Sequence, residues 1–342
     1  MIGIFADGLR ARGHDVFLLS QPYPQLSTKK KLRALVTRGT TKRRKRSGPF
    51  LDHLADVHRV LERNRAVTDA DLPDADVVIA TWWQTAFSVA SLAPSKGTKV
   101  YFMQDYGAPG QELEKVAPTW KLPLSFITLT EGLRAQIMSA NPKARVRVVQ
   151  NAVDLEKFTS PARLKPTRPT FGLLYRPQAS KGIDVALEAL ARARCADRLK
   201  LVAYGTRPRF EEAEGMPFEI DYRCSPTDAE VRQIYSQCSA WLFPSRLEGY
   251  GLPISEAMAC RTPVIGTRAG AGPDLIRSRE NGHLVDIEDA AAMADAIDAI
   301  AEMPPMDWSA MSEAAYATVK DYTWDDATDA FEAALLQAVS DN

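Results

Sequence analysis

The chain has 342 residues, enough for two domains of ordinary size with a core each. Lys plus Arg and Asp plus Glu both number 43, so a net charge of zero excludes a global attraction to polyanions. Cys195, Cys224, Cys238 and Cys260 are spread without a CxxC pair, which argues against a zinc site or a disulfide framework and fits a reducing cytoplasm.

The start, Met1 to Arg10, is too short in apolar length and too early in acid to read as a signal peptide. No stretch reaches the ~18 uninterrupted apolar residues of a spanning helix. Ile4 to Arg12 has helical spacing, Arg12-Gly13-His14 stops it, and Asp15 to Ser20 reads as a strand. That is the second half of a βαβ unit. Residues 29–46 hold ten basic residues and no acid. A solvated loop, a nucleic-acid contact and docking to an anionic membrane surface all fit such a run, but the aromatics that stack on bases are absent from it.

Phe50 to Val67 reads as a helix, with Leu51, Leu54, Val57, Val60 and Leu61 on one face. His53 and His58 lie five apart, off the i, i+4 spacing of a metal face, and read as surface residues. Ala75 to Ala80 is a short strand with Thr81-Trp-Trp-Gln-Thr85 at its carboxyl end, where open α/β sheets place ligands. Lys99 to Met103 is the next strand, ending in Gln104-Asp105-Tyr106. Leu124 to Leu129 and Arg145 to Val149 are strands around a helix from Glu131 to Ser139, and Thr159 to Thr170, with three prolines, reads as a linker.

Phe171 to Tyr175 opens a second sheet. After it, Arg176 and Lys181 stand five apart on a loop that leads into an amphipathic helix. Arg forks two oxygens and Lys adds a mobile point charge, a pair suited to a diphosphate. Leu199 to Gly205 and Phe218 to Tyr222 are further strands, the latter leading through Arg223-Cys224 to a helix from Asp228 to Cys238. The strand Ala240-Trp-Leu-Phe243 then meets the turn Pro244-Ser245 and the string Glu248-Gly-Tyr-Gly-Leu-Pro-Ile-Ser-Glu256.

Gly249 and Gly251 let the backbone approach a ligand, and the helix that starts near Ile254 offers unpaired amides to an anion. The two carboxylates bracket the loop and suit sugar hydroxyls. Thr262 to Gly266 is a strand, Ala269-Gly-Ala-Gly-Pro-Asp274 opens a helix, and Ala290 to Ala301 is another. A last helix runs from Tyr322-Thr-Trp-Asp-Asp326 to Val339.

Together the Glu248–Glu256 string and the Arg176/Lys181 loop resemble the donor site of family 4 retaining glycosyltransferases, which have the GT-B fold. Gly8 to Val16 is similar to the first helix and second strand of the family's amino-terminal domain, and Gln150-Asn-Ala-Val-Asp154 to its Asn-Gly-Val-Asp segment. The resemblance implies an α/β chain of two Rossmann-like domains facing across a cleft. The expected organisation is an acceptor domain at 1–158, a linker at 159–170, a donor-binding domain at 171–320 and a helix at 321–342 packing back on the first domain.

In the family a first strand and a Gly-rich loop precede the first helix. Their absence here predicts an amino-terminal sheet without its first strand, and a reading frame that starts upstream of Met1.

The implied reaction moves a sugar from a nucleoside-diphosphate sugar to an acceptor hydroxyl, with retention and without a metal or cofactor. The leaving phosphate takes the acceptor proton, so no protein base is named. Arg176 and Lys181 are expected to hold the diphosphate, and the amides of Gly249, Tyr250 and Gly251, beside Leu252, to face phosphate and sugar. Glu248 is expected on sugar hydroxyls, Glu256 on the ribose, and Arg223 and Cys224 near the base. Gln104, which stands where many relatives carry His, and Asp105 are candidates for the acceptor or sugar side.

The resemblance also implies a glycan or lipid-linked acceptor in envelope or exopolysaccharide assembly, at the inner membrane face. It ranks membrane docking by residues 29–46 above nucleic acid. Competing readings are a nucleotide-sugar-binding protein without turnover, which the missing first loop would allow, and a GT-B epimerase or phosphorylase.

Overall fold

The computed structural model describes residues 1–22, 49–106 and 113–342; the basic run at 29–46 lies outside the described residues. The strands pair in parallel throughout. Leu18–Ser20 (β1) pairs with His58–Val60 (β2). Val77–Ala80 (β3), Thr98–Met103 (β4), Ser125–Thr128 (β5) and Val146–Val148 (β6) form a second sheet in chain order.

The third sheet contains Thr170–Tyr175 (β7), Lys200–Gly205 (β8), Glu219–Cys224 (β9), Ala240–Phe243 (β10), Val264–Thr267 (β11) and Gly282–Val285 (β12). Its order is β12-β11-β10-β7-β8-β9. Read from β9, this is the 3-2-1-4-5-6 order of a doubly wound sheet, in which ligands sit beyond the carboxyl ends of the strands where the order reverses. Here that point lies between β7 and β10, paired in the register Ala240↔Phe171 and Leu242↔Leu173. The loops that leave these two strands carry Arg176/Lys181 and Glu248.

Strand alternation explains why the third sheet is covered on both sides. Phe171, Leu173, Leu201, Ala203, Ala240 and Leu242 point into a core shared with Val185, Leu190, Met293 and Ile297 of helices Ile183–Arg192 and Ala290–Glu302. Val202, Trp241 and Phe243 point the other way, into a core that also takes Ile234, Tyr235, Ile254 and Met258. This second core continues into the first half of the chain through Val149, Phe126 and Phe102. Phe5 and Phe331 close it, with ring centroids 4.6 Å apart, so the last helix, Trp324–Ser340, packs on the first, Ile2–Ala11.

Two departures from the sequence reading are instructive. Residues 50–67 do not form one helix: a 3-10 turn, Pro49–Leu54, precedes β2. The local spacing of Leu54, Val57 and Leu61 imitates a helix. Parallel pairing with a segment about forty residues earlier wins, through Leu18 N–H to the Val57 carbonyl (2.8 Å) and Leu61 N–H to the Ser20 carbonyl (2.9 Å). His58 is accordingly half-buried against the Ser20 hydroxyl at 2.8 Å, with burial lowering its pKa, while His53 remains exposed beside Asp7.

The second departure is a helix at Pro305–Val319 that the sequence reading did not include. Its buried face holds Trp308, Met311, Ser312, Ala315 and Val319, and the Trp308 indole donates to the Ser239 carbonyl at 2.8 Å.

Candidate functional site

The loops after β7 and β10 lock onto each other before any ligand is considered. Gly182 has φ +61°, and a Cβ there would lie 2.0 Å from the Pro244 carbonyl oxygen, so only glycine permits this approach. Arg246 fastens the same junction. Its backbone N–H donates to the Ser180 carbonyl (2.8 Å), and its guanidinium forks Asp184 (2.8 and 2.7 Å) and reaches Glu288. The result brings Lys181 Nζ to 2.5 Å from Glu248 Oε1, which also accepts from the Ser245 hydroxyl at 3.1 Å. Arg176 joins Lys181 and Glu248 around a recess of about 20 Å³.

Arg176 also borders a larger cavity of about 250 Å³. Glu256, Tyr204, Thr206, Ser225 and Asp228 are among its other walls. Glu256 lies on the helix Leu252–Ala259, whose start at Gly251, in left-handed backbone at φ +92°, has no side-chain cap. Burial raises the Glu256 pKa, against a hydrogen bond from Tyr235 that lowers it, and Asp228 adds to the rise. The Ser225 backbone is also left-handed, φ +52°, a strained conformation for a non-glycine residue and one that clusters at ligand sites.

The remaining sequence candidates lie around these loops and strand ends. Gly249 meets the first half of the chain: a Cβ there would lie 1.8 Å from the Gln104 carbonyl oxygen, so the ends of β4 and the glutamate loop are in direct contact. Tyr250 is buried and donates to the Asn151 carbonyl at 2.7 Å, leaving only its backbone for a ligand. The Asp105 charge helps burial raise the Tyr101 pKa. Arg223 lies 3.8 Å from Asp221 and Cys224 is exposed; the cavity wall is made instead by the next two residues, Ser225 and Pro226.

Sequence reasoning did not single out Tyr204, Thr206, Ser225 or Tyr235. Tyr204-Gly205-Thr206 at a strand end and Ser225-Pro226 at a turn are signals that would have pointed there.

A basic pair, a carboxylate on the same loops and a buried carboxylate in the adjoining cavity would suit a polyhydroxylated anion, the class that nucleoside-diphosphate sugars belong to. Residues 168–303 match the family described as Glycosyl transferases group 1. A curated relative, the D-inositol 3-phosphate glycosyltransferase of Mycolicibacterium smegmatis, is 27% identical over 235 residues, covering 63% of this chain and 53% of its own. The chain thus spans about half the length of the curated relatives it matches.

Among solved structures, Anabaena HepE in complex with UDP-glucose superposes with a TM-score of 0.67 at 15% identity, covering 96% of this chain and 100% of that one. Sucrose-phosphate synthase from Thermosynechococcus elongatus gives 0.65 at 17%, over 78% of this chain and 74% of that one. The fold is GT-B, and the third sheet with its helices lies within the residues that match the group 1 glycosyltransferase model.

Proposed function

We propose that the protein transfers a sugar from a nucleoside-diphosphate sugar to an acceptor hydroxyl, with retention at the anomeric carbon and without a metal. The observation that carries this reading is the convergence of Arg176, Lys181 and Glu248 at the switch point between β7 and β10, with Glu256 in the adjoining cavity. In the reaction the bond from the anomeric carbon to the phosphate oxygen breaks as the bond to the acceptor oxygen forms on the same face. The acceptor proton passes to the departing phosphate.

Charge that develops on that phosphate is met by the two cations, which need no reorganisation if they are already placed. Glu248 would hold donor-sugar hydroxyls beside Lys181, and Glu256 the ribose hydroxyls. The glycosyltransferase names of the relatives and the UDP-glucose bound by the HepE neighbour support a nucleotide-sugar donor. An acceptor in envelope or exopolysaccharide assembly, handled at the cytoplasmic face of the membrane, fits the same reading. Among the described residues no helix is long and apolar enough to cross a membrane.

A panel of ADP, GDP, UDP and dTDP in thermal denaturation tests the donor half. A ligand that binds only the folded state adds about 2.7 kcal/mol at a hundredfold excess over Kd. One nucleotide should raise Tm more than the others, and Lys181→Ala and Glu256→Ala should each shrink that rise. Unchanged shifts in both variants would reject these assignments. Mass analysis of products from a nucleotide-sugar panel then reads turnover directly.

A further inference from the structure

Tyr235 lies on the helix Asp228–Ser236, fully buried beneath the larger cavity. Its hydroxyl donates to Glu256 Oε2 at 2.8 Å and lies 3.0 Å from the Tyr204 hydroxyl. A phenol has one proton to give, and this one goes to the carboxylate. The Tyr204 proton must therefore point at the Tyr235 oxygen, and the three groups form one directed chain from Tyr204 through Tyr235 to Glu256. The Tyr235 ring cannot swing away. Trp241 packs edge-on at 4.5 Å, with Tyr204 and Phe158 at 6.3 and 6.1 Å. With Oε2 fixed, the carboxylate plane is fixed too, and Oε1, which hydrogen-bonds no described residue, is the oxygen left for a ligand in the cavity.

We propose that Tyr235, steadied by Tyr204, is a positioning residue: it aims the Glu256 carboxylate at a ribose diol and so makes the site select ribonucleotides over their 2′-deoxy counterparts. The proposal rests on the donor-binding reading above and adds to it a residue and a selectivity. A site that hydrogen-bonds a hydroxyl discriminates strongly against the analogue lacking it, because a buried acceptor is then left unpaired. That penalty requires a carboxylate that cannot turn to another partner, which is what the tyrosine chain enforces.

The charges around Glu256 set its pH behaviour. Asp228 at the start of the same helix as Tyr235 raises its pKa, as burial does, and the Tyr235 hydrogen bond opposes them. Arg176 lines the same cavity, and Tyr204 and Cys260 are further titratable neighbours among the described residues. An ionised Glu256 accepts from the diol, so ribonucleotide binding weakens as pH falls through its pKa. Removing the Tyr235 hydroxyl removes a bond that favours the charged form and moves this acid limb to higher pH.

The test is titration of the full chain with ADP and dADP, GDP and dGDP, and UDP and dUDP, by calorimetry from pH 5 to 8. In the unaltered protein the best-bound pair should favour the ribonucleotide by roughly tenfold or more. Tyr235→Phe keeps the ring, so it should fold; it should cut that ratio to within about threefold and shift the acid limb upward, with little change for the deoxy member. Tyr204→Phe, which leaves the bond to Glu256 in place, should reduce the ratio part way.

Lys181→Ala, which removes a cation assigned to the diphosphate and does not line the Glu256 cavity, should weaken both members alike and leave the ratio intact. A wild-type ratio and acid limb in both tyrosine variants would overturn the proposal alone. No binding of any pair by the unaltered protein would overturn the donor reading and this inference together.

Discussion

At the scale of single residues, the glutamate loop owes its shape to positions where no side chain fits. Gly249 is the sharpest case, since its missing Cβ is what lets the glutamate loop touch the end of β4. Gly249→Ala places a methyl 1.8 Å from the Gln104 carbonyl, a clash of backbone against side chain that no rotamer relieves. Overpacking of this kind costs about 1–3 kcal/mol. The expected result is a lower midpoint in urea denaturation together with weaker nucleotide binding, because the displaced loop carries Glu248.

Gly249 was legible in the sequence as a position for close backbone approach, although the partner it approaches was not. Tyr235 was not legible at all. It stands with Val231 and Ile234 on the buried face of its helix, and nothing in that spacing separates a hydroxyl that serves a carboxylate from an aromatic that fills a core.

At the scale of elements, the site depends on two loops from neighbouring strands being held in register. The strands were readable because β7 and β10 are continuous apolar runs bounded by turns, and their adjacency follows from the doubly wound order. The brace between their loops was not readable: Arg246 lies 62 residues from Asp184 and 42 from Glu288. The misread stretch at 50–67 has the same cause. Its strand exists only because Leu18–Ser20 lies alongside.

Arg246→Ala separates stability from positioning. Exposed ion pairs contribute about 0–1 kcal/mol each, so the denaturation midpoint should barely move. Nucleotide Kd should rise about fivefold, the equivalent of about 1 kcal/mol. Calorimetric titration beside a urea melt distinguishes this from general destabilisation, in which both would change together.

At the scale of the whole molecule, the two halves share polar contacts. Tyr250 donates to the Asn151 carbonyl, Tyr322 to the Gln150 carbonyl at 3.2 Å, and the Glu131 N–H to Asp274 at 3.3 Å. Asp274 is half-buried, and burial raises its pKa. One hydrophobic core runs through both halves, from Val100 and Phe126 to Ile254 and Val319, and the last helix returns to the first half through Phe331.

A chain built this way should melt as one cooperative unit, and a nucleotide bound in the second half should stabilise the first. Phe331 is the place to probe it, since its ring packs against Phe5 at 4.6 Å and Phe102 at 4.9 Å although it belongs to the far end of the sequence. Phe331→Ala leaves a cavity costing about 3–5 kcal/mol. Scanning calorimetry should show a single transition at lower temperature, still raised by the preferred nucleotide. A split into two transitions, with only the upper one responding to nucleotide, would show instead that the halves unfold independently and that the shared core contributes packing without coupling.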